Sequence, residues 1–109
     1  MYALEIIKFI DQLNKHDWSV HVIAQQLLRS GTSIGANIVE AQASSSKKEF
    51  TNFLNHSSKS ANESKFWLAL LRDSGKAKTK SVDSLLIETK ELANILASSI
   101  LTLKGRRKT

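Results

Sequence analysis

Four polar side chains, Arg29, Ser33, Asn37 and Glu40, recur at steps of three or four residues, the spacing that places side chains on one strip of an α-helix. A catalytic role for this strip would require a nucleophile or a histidine beside the guanidinium and the carboxylate, and none stands at a suitable spacing. Arg29 and Glu40 are separated by three helical turns, so they cannot pair within the helix. The strip therefore predicts contacts with another helix, unless it is a solvated face.

Glu63 is the candidate partner for Arg29 across helices. A buried pair of this kind costs desolvation and mainly fixes helix register and oligomer geometry. The sequence thus predicts a structural or oligomer polar network that has no catalytic residue. Its members are Arg29, Ser33, Asn37, Glu40 and Glu63.

The remaining side chains give no sign of an active site. His16 and His21 are not spaced as a convincing metal pair, His56 is isolated, and the chain has no cysteine. No arginine precedes a histidine at the offset that certain small helical ribonucleases use. We therefore predict no enzyme activity, no metal and no cofactor, with a ribonuclease kept as an alternative.

The aromatic side chains are predicted to be structural. Trp18 is expected to pack over the start of the second helix. The others are expected in the core or at a subunit interface: Phe50, Phe53, Phe66 and Trp67. The sequence gives no stacking platform for nucleic-acid bases, so sequence-specific reading of single strands is not expected.

Four helices are needed to place these residues, and no strand is indicated. The helices are expected at about residues 2–14, 20–43, 47–74 and 82–104. Asp17 or Ser19 is expected to cap the second helix, Ser46 the third and Ser81 the fourth, while Gly75 ends the third. Short connections make neighbouring helices antiparallel, which predicts an all-α, up-and-down four-helix bundle over residues 1–104 and a basic tail over 105–109.

Apolar residues at helical spacing predict the core faces. On the first helix they are Ile6, Ile7, Ile10 and Leu13; on the second, Leu27, Ile34, Ile38 and Ala41; on the third, Phe50, Leu54, Ser57, Ala61, Ser64, Leu68 and Leu71; on the fourth, Val82, Leu85, Leu86, Leu92, Ile95, Leu96, Ile100 and Leu103. Gly31, Gly35 and Ala36 are expected to allow close approach of a neighbouring helix. Because the first helix is short, part of the bundle is left uncovered, which favours self-association.

Charge is distributed unevenly along the 109 residues. Residues 1–46 carry a net charge of −1 and residues 47–109 a net charge of +7. A basic second half favours polyanionic partners, and a lysine-rich solvated surface is the alternative. The lack of cysteine, signal peptide and long apolar run favours a cytoplasmic protein without a membrane span.

Two basic zones are expected at opposite ends of the bundle. One is the connection before the last helix, and the other combines the start of the third helix with the end of the chain. The alternative for the basic residues at the end of the chain is a frayed terminus that only adds solubility. The residues predicted to bind nucleic acid are Lys47, Lys48, Lys76, Lys78, Lys80, Lys104, Arg106, Arg107 and Lys108.

The run QQLLRSGTSIGANIVEAQASSSKKEFTNFL, followed by KSANESKFWLALL, closely resembles the bacterial four helix bundle protein family. Founding members of that family are encoded in intervening sequences within bacterial 23S ribosomal RNA genes, and the accessory variability determinant of diversity-generating retroelements is a relative. The motif positions carried over are Arg29, Ser33, Asn37, Glu40, Lys47, Phe50, Glu63 and Trp67.

The resemblance implies a ring of five bundles with a basic outer surface that contacts RNA or DNA and, in the retroelement relative, a reverse transcriptase. From residues and resemblance together we predict a non-enzymatic homo-oligomeric scaffold that binds nucleic acid by backbone electrostatics. The alternative is a protein-interaction module that docks a reverse transcriptase or another enzyme.

Overall fold

The computed structural model describes residues 1–108, with side chains described for residues 1–105. Four helices follow one another: α1 (Tyr2–Asp11), α2 (Trp18–Gln42), α3 (Lys47–Asp73) and α4 (Thr79–Lys108). The described residues contain no strand. The predicted all-α four-helix bundle is therefore confirmed, with dimensions of 52 × 21 × 21 Å. No helix in this part of the chain combines the length and hydropathy needed to cross a membrane.

Two of the helices, α2 and α3, begin at polar side chains that cap their free amides. The Asp17 carboxylate accepts a hydrogen bond from the Val20 amide at 3.3 Å, and the Ser46 hydroxyl accepts one from the Glu49 amide at 3.1 Å. Both caps match the sequence prediction. The Glu49 carboxylate reaches back to the amide and hydroxyl of Ser45, one residue before the cap.

Gly75 ends α3, as its position in the sequence predicts. Its φ of 73° is left-handed, a conformation that a residue without Cβ adopts at little cost. The Gly75 amide donates to the Arg72 carbonyl and the Lys76 amide to the Leu71 carbonyl, each at 3.0 Å. This pair of bonds is a Schellman motif, which satisfies the last carbonyls of the helix.

Three predicted helix ends are wrong. The Val82 amide donates to the Lys78 carbonyl at 3.1 Å, so helical bonding in α4 starts before Ser81 and that residue lies inside the first turn. No proline or glycine separates Lys78 from Ser81 to delay the helix. In addition, α1 ends at Asp11 instead of residue 14, and α4 continues to Lys108, through most of the predicted tail.

With 10 residues, α1 is the shortest helix and covers only one half of the bundle. It packs between α2 and α4, whereas α3 contacts both of those longer helices. Beneath α1 lies one core cluster: Ile6, Phe9, Val20, Leu27, Leu68, Leu71, Val82, Leu85 and Leu86. The other half has a second cluster: Ile34, Ala41, Leu54, Ala61, Ala93, Leu96 and Ile100. The bundle thus has four packed helices at one end and three at the other.

The predicted core faces are correct except at their edges. Every residue of the predicted α3 face is buried apart from Phe50, which is half-buried. Two residues predicted to lie in the core are instead exposed to solvent: Ile7 is 40% exposed and Ile95 is 62% exposed. Phe9, which the apolar pattern left out of the α1 face, is buried in place of Ile7.

Two neighbouring carboxyl groups lie where α1 meets α4: Glu5 and Glu88. The pKa of Glu88 is raised above its ordinary value of 4.5, chiefly by a hydrogen bond with the Glu5 carboxyl and further by burial and by like charge. A raised pKa means that the folded chain holds this proton more tightly than the unfolded chain does. The stabilisation is therefore present below pH 4.5 and is lost as the pH rises through the folded-state pKa.

Replacing Glu88 with glutamine is expected to raise the free energy of unfolding at pH 7 by about 0.3 kcal/mol, the size of a solvent-screened like-charge pair. The gain should shrink below pH 4.5, where Glu88 of the natural chain is itself protonated. Urea denaturation at several pH values measures both effects. Glu91→Gln is the comparison on the same helix: Glu91 is only the weakest of the groups that raise the pKa of Glu88, so its gain should be smaller, and an equal gain at pH 7 would contradict the prediction.

Candidate functional site

The structure joins Arg29 of α2 to Glu63 of α3 in an ion pair. The Gln26 side-chain oxygen also accepts from the Arg29 guanidinium, and the Trp67 indole N–H donates to Glu63 Oε2 at 2.9 Å. The Arg29 and Glu63 side chains remain 56% and 36% exposed. This contact between helices is the one that the sequence suggested, at the surface of the single chain.

The other members of the predicted polar network do not join this pair within one chain. Ser33 donates to the Arg29 carbonyl at 2.7 Å, and Asn37 donates to the Ser33 carbonyl at 2.9 Å, so both side chains bond to their own helix. Glu40 is exposed near the end of α2. A role for the strip between subunits stays a prediction.

Because the Arg29–Glu63 pair is exposed, we expect a coupling energy of about 0.5 kcal/mol between its members. A double-mutant cycle with Arg29→Ala and Glu63→Gln, followed by urea denaturation, measures it. Glutamine keeps an acceptor for the Trp67 indole, so the cycle isolates the charge. A coupling above about 2 kcal/mol would contradict an exposed pair and indicate that another chain covers it.

Buried hydroxyl groups form a polar layer within the core that the sequence did not predict as a site. The Ser64 hydroxyl donates to the Ser30 hydroxyl at 2.9 Å, and the Ser57 hydroxyl donates to the Ile34 carbonyl at 2.8 Å. The Tyr2 hydroxyl lies 2.6 Å from the Thr89 hydroxyl.

Burial raises the pKa of Tyr2. No buried side-chain nitrogen or oxygen among the described residues lacks a hydrogen-bond partner. This hydroxyl layer is therefore a satisfied structural network and not an unpaired reactive group. The signal in the sequence is the seven-residue spacing of Ser57 and Ser64 on the core face of α3.

One basic zone lies at the α3–α4 connection, which we call the turn end. Lys76 Nζ contacts the Asp17 carboxylate at 2.5 Å, and this bond, with those from Ser19 and Val20, lowers the pKa of Asp17 to about 2. Lys78 and Lys80 are exposed and form no ion pair among the described side chains. Of the three predicted lysines, Lys76 is thus held by a carboxylate and the other two face solvent.

The second basic zone lies at the opposite end, which we call the tail end. A groove of about 410 Å³ lies between α3 and α4, so the start of α3 lies beside the end of α4. Its lining residues are Phe50, Leu54, Ser98, Ser99, Thr102 and Leu103. Lys47, Lys48 and Lys104 are exposed there. The side chains of three further predicted residues lie outside the described part: Arg106, Arg107 and Lys108.

Trp18 contradicts the expectation that it packs over the start of α2. Its side chain is 77% exposed and stacks on the His21 ring, with ring centroids 6.1 Å apart and planes inclined by 23°. All three histidines are exposed. Within the described residues, no group of three or more side chains is placed to hold a metal ion.

The two glycines of α2 differ in their surroundings. A Cβ on Gly31 would lie 3.2 Å from two carbons of Ile6, so Gly31 lets α1 approach α2 closely. A Cβ on Gly35 would meet nothing within 4 Å, and Ala36 is exposed. The predicted close approach is thus found at Gly31, while Gly35 and Ala36 have no such neighbour within one chain.

Comparison with known proteins assigns the chain to a family. A family model described as 23S rRNA-intervening sequence protein matches residues 1–98. The chain belongs to that family. The resemblance carried by Gln25–Leu54 and Lys59–Leu71 is thereby confirmed.

A solved structure supports the assignment of this 23S rRNA-intervening sequence family member. It is a crystal structure of a protein of unknown function from the S23 ribosomal protein family of Bacteroides thetaiotaomicron. The two chains are 36% identical, the alignment covers 91% of each, and the TM-score is 0.84. No curated protein matches the chain.

Proposed function

We propose that this family member is a non-enzymatic, self-associating helical scaffold that binds RNA or DNA through the phosphate backbone. Nucleic-acid binding is supported by the exposed lysines of the tail end. Lys47, Lys48 and Lys104 are all exposed there and form no ion pair among the described side chains. The nearby Glu49 carboxylate is engaged by Ser45. Unpaired lysines that release counterions from phosphates are the usual source of sequence-independent affinity.

Exposed apolar side chains support the self-association. Val39, Phe66, Ile87 and Ile95 are each between 58% and 64% exposed on α2, α3 and α4. Burying these side chains against another protein surface would remove apolar area from water, which is favourable. A ring of five chains, which the resemblance implies, would present each lysine five times and add weak phosphate contacts as avidity. Light scattering at micromolar concentration tests this step, and a mass of 12.1 kDa, that of one chain, would contradict it.

The salt dependence of binding tests the electrostatic mechanism. We expect the affinity for a fluorescent RNA or DNA oligonucleotide to fall as the NaCl concentration rises. Reversing Lys47 and Lys48 together to glutamate should weaken binding and lower the slope of log affinity against log salt by about 2, roughly one for each phosphate that is no longer neutralised. Acidic residues in the first turn of a helix are favourable, so this variant should fold.

The matched control reverses Lys59 and Lys90, two exposed lysines near the middle of α3 and α4, and changes the net charge equally. Equal weakening in the two variants would mean that only net charge matters and would contradict a site at the tail end. Affinity that does not fall with salt would contradict backbone binding altogether. The turn end is tested by reversing Lys78 and Lys80 while keeping Lys76, because Lys76 holds Asp17.

A protein-interaction module is the second candidate, favoured by the same exposed apolar side chains. In that case these apolar side chains would bind a partner enzyme, such as the reverse transcriptase of the retroelement relative. Lysine reversals that abolish nucleic-acid binding but keep partner binding support the scaffold with separate surfaces. Partner binding without any nucleic-acid binding by the natural chain would favour the module.

A further inference from the structure

Trp18 is the most exposed aromatic side chain among the described residues, at 77%. It occupies the first position of α2, and the neighbouring ring of His21 stacks on it at 6.1 Å. The indole takes no part in either core cluster. Packing of this chain therefore gives no reason for a large aromatic ring at this position.

The backbone that carries Trp18 is held firmly at the turn end. The preceding residue, Asp17, caps α2 through the Val20 amide and bonds Lys76 of the α3–α4 connection at 2.5 Å. Since Lys76 neutralises Asp17, no unpaired carboxylate lies in the sequence directly beside the indole. The exposed ring thus sits on a fixed element, which limits the entropy that a ligand must remove on binding.

Exposed lysines lie on both chain segments that meet at the turn end. Lys15 is three residues before Trp18, and Lys78 and Lys80 follow Lys76, which bonds Asp17, on the adjoining connection. An open cleft of about 550 Å³ lies between the end of α1 and this connection, and its lining includes Lys76 and Lys78 but not Trp18.

We propose that Trp18 stacks on an unpaired nucleobase while Lys78 and Lys80 contact the adjoining phosphates. The inference rests on the proposed nucleic-acid binding and adds a preference for single-stranded over duplex RNA or DNA. It revises the expectation from the sequence alone that no aromatic side chain is available for stacking, because Trp18 is exposed in the structure. A flat aromatic ring next to lysines is the arrangement with which proteins hold single strands, because every base presents a π face whatever its identity. In a duplex, the bases are already stacked and leave the indole without a partner.

The test measures the affinity of the full chain for a single-stranded oligonucleotide and for a blunt-ended duplex of the same length, as RNA and as DNA. Trp18→Ala should weaken single-strand binding about tenfold, a factor within the range that stacking one base supplies, and leave duplex binding unchanged. Trp18→Phe keeps an aromatic face and should restore much of the affinity. His56→Ala, which removes an exposed ring of α3 that belongs to neither proposed surface, is the control and should leave both affinities unchanged.

Fluorescence gives an independent readout, because the chain has only two tryptophans. In a Trp67→Phe background, a single-stranded oligonucleotide should quench Trp18, while an abasic strand of equal charge should not. Salt-dependent binding that is unaffected by Trp18→Ala overturns this inference and leaves the proposed function standing. Absence of all nucleic-acid binding overturns both. Trp18 emission that shifts with protein concentration and not with nucleic acid assigns the ring to a subunit contact and overturns the inference.

Discussion

Replacing Ile6 with alanine is expected to lower the free energy of unfolding by about 3 kcal/mol. Ile6 is fully buried in the core cluster beneath α1 and contacts the Gly31 recess of α2. The variant removes two methyl groups and one methylene group from this site. Because α2 is also packed on α3, it cannot move toward α1 to fill the space. The lost transfer free energy of these carbons and the cavity left behind both lower the free energy of unfolding.

Urea denaturation monitored by circular dichroism measures this destabilisation. Ile7→Ala is the matched control: the same substitution is made one residue later on the same helix, at a side chain that is 40% exposed. We expect it to cost less than about 1 kcal/mol, because much of that side chain is already in water. Equal destabilisation in the two variants would show that α1 is not oriented by Ile6.

Local rules recover most of the fold from the sequence. Ser46 and Gly75 act through hydrogen bonds within a few residues of chain, so their types and spacing are enough to place both ends of α3. The core face of α3 follows from spacings of three and four alone. Such features depend on few neighbours and can be predicted without knowing how the helices pack.

The errors arise where packing between helices decides the outcome. On α1, the choice of Phe9 over Ile7 as a core residue depends on how the short helix rotates against Gly31, which periodicity does not specify. Large aromatic rings are usually buried, which is the reason for expecting Trp18 to pack, yet its side chain lies outside both core clusters and stacks on His21. Helix boundaries without a strong cap, as at Ser81, are equally hard to place.

The candidate site is predicted less completely than the fold. Arg29 and Glu63 meet as suggested, since antiparallel α2 and α3 bring their midpoints together. In contrast, the pairing of Lys76 with Asp17 joins residues 59 positions apart, and no local pattern signals it. Charge composition therefore overestimates the free positive charge of the turn end and gives no reason to favour the tail end.

The second large effect is expected at Gly31. Replacing it with leucine should lower the free energy of unfolding by about 2 kcal/mol, because the new Cβ would already lie 3.2 Å from two Ile6 carbons and the rest of the side chain has no space. Leucine has a higher helix propensity than glycine by roughly 0.8 kcal/mol, so steric overlap must exceed that gain.

Gly35→Leu is the control on the same helix, since its Cβ meets nothing within 4 Å. There the helix propensity acts alone, and stability should rise by up to about 0.8 kcal/mol. Combining Gly31→Leu with Ile6→Ala should cost less than the sum of the two single effects, because the alanine opens the volume that the leucine enters. Strict additivity of the two effects would show that Gly31 and Ile6 do not touch, and would remove the reason for a glycine at that position of α2.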